Sequence, residues 1–210
     1  MSVRFPAAVL AAVLLLSGCG GLRSHQPAPL LYRPGIPALP GGAPLAVDLL
    51  VARPTAAPEL GRTQILTRWP GQRLDYFANA RWSGDLPVLV QATVIEALHG
   101  GGRLASVQGD GGRFRATHVL EIEVRRFEAD YSAGGLPVAR VTLAANLGLQ
   151  SDRRVLDSWA IATEVPATAN RLTEVIAALD QAYREAVAAL AARAFVVLEA
   201  GPAPLRQTGT

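Results

Sequence analysis

Side-chain types that do chemistry are sparse in this chain. His25, His99 and His118 stand far apart, and the single cysteine, Cys19, has no second thiol to join. That spacing offers no metal-ligand set and no intramolecular disulfide. Glu121 and Glu123 lie two apart in HVLEIEVRRF, on one face of an expected strand. Paired carboxylates can serve as acid and base, but solvated charges on a wet face have the same pattern. The run GGGRLASVQGDGGR at 100–113 is glycine-rich like a phosphate cradle. It follows a helical pattern, however, instead of linking a strand to a helix N-terminus, and reads as loops around one short strand. No G-x-S-x-G elbow occurs. All 20 basic residues are arginine, so no lysine is available for a phosphate loop or a Schiff base. The residues therefore single out no catalytic group and no cofactor or metal ligand. Any ATP-driven work falls to another protein.

Cys19 carries a different chemistry. Arg4 precedes an unbroken apolar run from Ala7 to Leu16, and Leu16-Ser17-Gly18-Cys19 follows. Ten apolar residues are too few to span a bilayer, which needs about 20, so residues 1–18 read as a signal peptide. The four residues ending at Cys19 resemble the bacterial lipobox, in which the cysteine is acylated and becomes the mature N-terminus. Several acyl chains at about 0.8 kcal/mol per buried CH₂ make such an anchor effectively permanent. Gly20 stands where an aspartate commonly retains lipoproteins at the inner membrane. By resemblance to that sorting rule the expected location is the outer membrane, facing the periplasm.

The elements that follow must be positioned by one domain. Residues 19–44 hold the lipidated cysteine and a stretch rich in proline and glycine, expected to be a spacer. Residues 45–198 are long enough for a single packed domain, and 199–210 read as a flexible tail. Half of the residues are hydrophobic and 18% are charged, which supports a core. A formal charge of +3, with arginines scattered along the chain, gives no footprint for nucleic acid.

Within the domain, Leu45–Arg53 reads as a first strand, and Gln64–Arg68 with Arg73–Phe77 as a hairpin around Pro70-Gly71. Asp85–Leu98 has apolar residues near helical spacing, and the glycines at 100–102 stop it. Alternation in HVLEIEVRRF and VARVTLAANLGLQ, and more loosely in RVLDSWAIATEV, predicts three strands of an antiparallel meander with one wet face. Ala169–Leu198 predicts a long helix, its stripe formed by Leu172, Ile176, Leu179, Tyr183, Ala186, Val187 and Leu190. The expected fold class is α+β: a mostly antiparallel sheet with two helices packed on one face.

The stretch YFANARWSGDLP remains, with Tyr76, Arg81, Trp82, Asp85, Leu86 and Pro87 leading into Val90 and Leu98 of the first helix. One reading pins Trp82 under a loop, caps the helix with the Asp85 carboxylate and seats Pro87 in its first turn. The other makes Arg81 and Trp82 part of a partner interface, where both types are enriched. The motif, the lipobox and the element order together resemble the ABC-type transport auxiliary lipoproteins, among them the lipoprotein of the paraquat-inducible intermembrane transport system. The resemblance covers residues 45–198, with Gly84 a departure at the start of the helix. It implies an outer-membrane, non-catalytic docking or ring subunit in the transport of lipids or other hydrophobic molecules between two membranes. Its implied partners are a substrate-binding protein with MCE domains, an ABC permease and its ATPase, with homo-oligomerisation left open. A second reading is an envelope-assembly lipoprotein that chaperones an outer-membrane barrel or a lipopolysaccharide-export partner.

Overall fold

The computed structural model describes residues 28–201. The expected signal peptide, Cys19 and the end of the tail lie outside the described residues. Among the described residues nine strands form one sheet: β1 (Leu30–Tyr32), β2 (Leu45–Val51), β3 (Thr55–Ala56), β4 (Gln64–Trp69), β5 (Arg73–Trp82), β6 (Leu104–Gln108), β7 (His118–Asp130), β8 (Val138–Leu149) and β9 (Val155–Pro166). Helix α1 (Leu86–Gly100) joins β5 to β6, and α2 (Leu172–Ala200) closes the chain.

β7 organises the sheet. Along one edge it pairs antiparallel with β8, which pairs antiparallel with β9. This is the expected meander. Along the other edge β2, β3 and β4 queue one after another, each parallel to β7. β6 lies parallel outside β2, β5 antiparallel outside β4, and β1 parallel outside β5. The α+β class holds and the long ladders are antiparallel as expected, while the short parallel pairings along the other edge make the sheet mixed and not strictly antiparallel. Side-chain alternation reports which face of a strand is dry and carries no information about its direction.

The dry face packs against both helices. Leu120, Ile122, Val124 and Phe127 of β7 and Val141, Leu143, Ala145 and Leu147 of β8 are buried. Val175, Leu179, Tyr183, Ala186, Val187 and Leu190 of α2 meet them, so the predicted stripe is the core face, with Leu172 and Ile176 at its margin. Small residues at Ala178, Ala182, Ala186 and Ala194 are all buried, which lets the helix lie close to the sheet. Among the described residues no helix is long and apolar enough to cross a membrane.

Three expectations change in detail. The hairpin is longer than its pattern suggested: β5 runs to Trp82, so the Arg-Trp pair ends a strand and is not in a loop. The expected spacer joins the fold from Leu30 onward. β1 pairs with β5, Pro34 and Pro37 are buried, and the Gly35 N–H donates to Asp180 Oδ1 at 2.5 Å. Proline has no N–H to leave unpaired, so Pro34 and Pro37 are buried with little hydrogen-bond loss. Finally, Glu199 and Ala200, placed in the tail, complete α2.

Candidate functional site

The stretch from Tyr76 to Pro87 is distributed over a strand end and a helix start. Opposite Ile65 alone in β4, β5 carries the four residues 77–80, a wide bulge between the Leu66–Tyr76 and Gln64–Arg81 pairs. Arg81 clamps it: its guanidinium Nη1 donates to the carbonyls of Phe77 at 2.9 Å and Ala80 at 3.0 Å. Trp82 is 3% exposed and meets Phe127 edge-on, with centroids 5.2 Å apart; Phe127 in turn lies 5.4 Å from Tyr183. The three rings tie β5 and β7 to α2 through the middle of the core. Tyr76 is exposed on the hairpin.

Asp85 is the N-cap of α1 without using its carboxylate. Its backbone carbonyl accepts from the Val88 and Leu89 N–H groups, and the Leu86 N–H finds the Arg62 carbonyl. This corrects the expected side-chain cap. Pro87, buried in the first turn, needs no partner for a missing N–H. Gly84 precedes the helix with the Leu89 side chain 3.6 Å from where a Cβ would stand, ordinary contact that demands no glycine.

The acid–base candidates are not brought together. Glu123 pairs with Arg125 at 2.7 Å, both half exposed, while Glu121 lies across from Asn146. They border an open groove of about 600 Å³ on the wet face, with Arg53, Asn146 and Ser158. His99 Nε2 meets the Val107 carbonyl at 2.8 Å, and His118 Nδ1 meets Thr117 Oγ1 at 2.9 Å. Burial holds the His118 imidazole below its ordinary range. His25 lies outside the described residues. Among the described residues no three His, Cys, Asp or Glu side chains gather to hold a metal.

Sequence reasoning missed the polar feature that the fold does assemble. On the wet side of β7 an alternating chain of charges runs Arg68, Glu128, Arg126, Asp130, Arg140, Glu164, across β4, β7, β8 and β9. Glu128, with a side chain 2% exposed, accepts from Arg68 at 2.8 and 3.2 Å and from Arg126 at 3.0 and 2.7 Å. Arg126 reaches Asp130 at 3.6 Å, Arg140 meets Asp130 at 2.8 Å, and Arg140 also binds Glu164. Burial alone would raise the Asp130 carboxyl. Hydrogen bonds from Ser132 and the charges of Arg140 and Arg126 outweigh it and hold the carboxyl below the ordinary range. The members come from residues 68 to 164, and only strand pairing joins them, so no local spacing could announce them.

Comparisons with known proteins fit this architecture. A crystal structure of a Xanthomonas campestris protein is 28% identical and superposes with a TM-score of 0.76, over 81% of this chain and 97% of that one. An uncharacterized protein of known structure shares the fold at 14% identity and a TM-score of 0.62, over 80% and 99% of the two chains. A hypothetical protein from Chlamydia trachomatis does so at 8% identity and 0.50, over 74% and 100%. No curated protein matches significantly. The fold class is thus a helix-backed mixed sheet found in several solved proteins. Within it, this chain belongs to the ABC-type transport auxiliary lipoprotein component family, whose model matches residues 30–191. Its place is accordingly the bacterial cell envelope, beside an ABC transport system. The match begins where β1 begins, in keeping with a domain that includes the proline-rich segment.

Proposed function

We propose that the protein is the outer-membrane lipoprotein of an MCE-type ABC transport system, a non-catalytic docking or ring subunit on a route for lipids or other hydrophobic molecules between the two membranes. Residues 1–18 are removed, Cys19 is acylated, and the folded domain faces the periplasm. The observation that carries this reading is the family match over nearly the whole folded domain, downstream of a lipobox at the sole cysteine. The absence of lysine agrees with a subunit that leaves nucleotide hydrolysis to a separate ATPase. Arg81 and Trp82 in this reading shape the domain and do not touch the partner directly.

The test is purification of the full chain from envelope membranes in a detergent that keeps the transporter intact. An MCE-domain protein, with permease and ATPase, is expected in the eluate. Recovery of the three without this lipoprotein, or of this lipoprotein with barrel-assembly proteins instead, would sink the assignment. Cys19→Ser is expected to release the chain into the soluble periplasmic fraction; continued membrane attachment would refute anchoring at that residue.

A further inference from the structure

Phe114 is 82% exposed, the most exposed large apolar side chain among the described residues. It lies in the loop 109–117 between β6 and β7, with Arg113 and Arg115 exposed on either side. The backbone of this loop is held in place. Gln108 Nε2 donates to the Phe114 carbonyl at 2.7 Å, and Gly112 leaves room for that side chain, whose amide oxygen would overlap a Cβ there. The Thr117 N–H donates to the Asp48 carbonyl at 2.8 Å, and the Thr117 carbonyl accepts from the Gln150 N–H at 2.9 Å. An aromatic ring projecting from a pinned loop between two arginines has the composition of an interface hot spot.

Beside the ring opens a cleft of about 820 Å³ between this loop and the β8–β9 turn, with Phe114, Arg115, Leu50, Leu149 and Gln150 in its lining. Shape and charge select the occupant. A bilayer surface is broad and leaves a cleft beside a projecting side chain filled with water, whereas a protein segment can enter it. The two loops, 109–117 and 150–154, carry Arg113, Arg115, Arg153 and Arg154 against Asp110 and Asp152, an excess of positive charge. Asp152 faces Arg154 at 3.6 Å, and Asp110 accepts from Gln91 Nε2 at 2.8 Å. Neither Arg113 nor Arg115 makes an ion pair among the described residues. The charge that complements them on a partner is negative.

We propose that this cleft docks an acidic, extended segment of a partner protein, which packs an apolar side chain on Phe114 and sets a carboxylate against Arg115. Arg113 adds attraction at the rim. For the identity of the partner, the MCE-domain protein, this rests on the transport reading above.

The experiment uses the full chain copurified with the MCE-domain protein, the permease and the ATPase. The photo-crosslinking residue p-benzoylphenylalanine replaces Phe114 or, as a control, the 50% exposed Leu136. Leu136 follows β7, whose 13 residues separate the two positions by about 40 Å at ~3.3 Å each. Illumination is expected to join position 114 to the MCE-domain protein next to an aspartate or glutamate, with no such product from position 136. Arg113→Glu combined with Arg115→Glu is expected to lower the yield from position 114 at least about tenfold, because the reversed charge repels the acid. An unchanged melting midpoint shows that this variant keeps its fold. A complex that copurifies without a crosslink at 114, that crosslinks equally at 136, or that ignores the charge reversal overturns the docking site and leaves the transport reading standing. Failure to copurify sinks that reading and the site with it. Crosslinks from position 114 to lipid or to a second copy of the chain assign the loop to those contacts and also overturn the proposal.

Discussion

Tyr183 is fully enclosed, and its hydroxyl meets Thr93 across the two helices. Burial pushes the phenol well above its ordinary range, so the ring stays neutral and acts as a structural bridge. Thr93 also donates toward the Leu89 and Val90 carbonyls, so losing the tyrosine oxygen strands nothing there. Tyr183→Phe is therefore expected to cost only about 1 kcal/mol in denaturant unfolding, while Tyr183→Ala costs ~3–5 kcal/mol through its cavity. Asp130 makes a prediction with pH. Its folded carboxyl is held below the unfolded value near 3.8, so its contribution is fully present above that value and fades as pH falls through the folded one. Asp130→Asn is expected to lower stability at pH 7 by about 1–3 kcal/mol, and the gap to the native chain should narrow below about pH 4. An unchanged gap in acid unfolding would show that the charge chain contributes nothing through this residue.

At the scale of elements, the bulge in β5 is the joint between the exposed hairpin and the buried strand end. Removing the Arg81 guanidinium frees two carbonyls, so Arg81→Ala is expected to cost about 1–2 kcal/mol and to speed amide exchange in β1, which pairs with the residues it steadies. Trp82→Ala, by contrast, empties core volume against Phe127 and should cost ~3–5 kcal/mol with no such local signature. The meander and both helices were legible because one dry face imposes a period of two or 3.6 over long runs. The parallel queue of β2, β3 and β4 was not, since strand direction follows from connections that carry no periodic mark. β1 was hidden for another reason: prolines at 34, 37 and 40 read as a spacer, and only the tertiary burial of Pro34 and Pro37 distinguishes the segment from one. The charge chain could not be read because its six members depend on register across four strands.

For the whole molecule, the incorporation of residues 30–44 means that the domain is larger than its periodic part. A chain starting at residue 45 loses β1, the buried Pro34 and Pro37 and the Gly35–Asp180 bond. It is expected to melt about 5–10 °C below one starting at residue 28, at ~2–4 °C per kcal/mol for this size. Equal midpoints would show that the segment only rests on the surface. The queue along β7 has a consequence in time. β2 meets β7 across a separation of 69 residues at Leu49–His118, and β4 across 62 at Leu66–Glu128, whereas β7, β8, β9 and α2 are neighbours in sequence. Loop closure favours the near pairs, so the carboxyl-terminal half nucleates and the first-made half docks last. Until β7 arrives, β2 to β5 are open strand edges, the interval in which this chain is most exposed to aggregation.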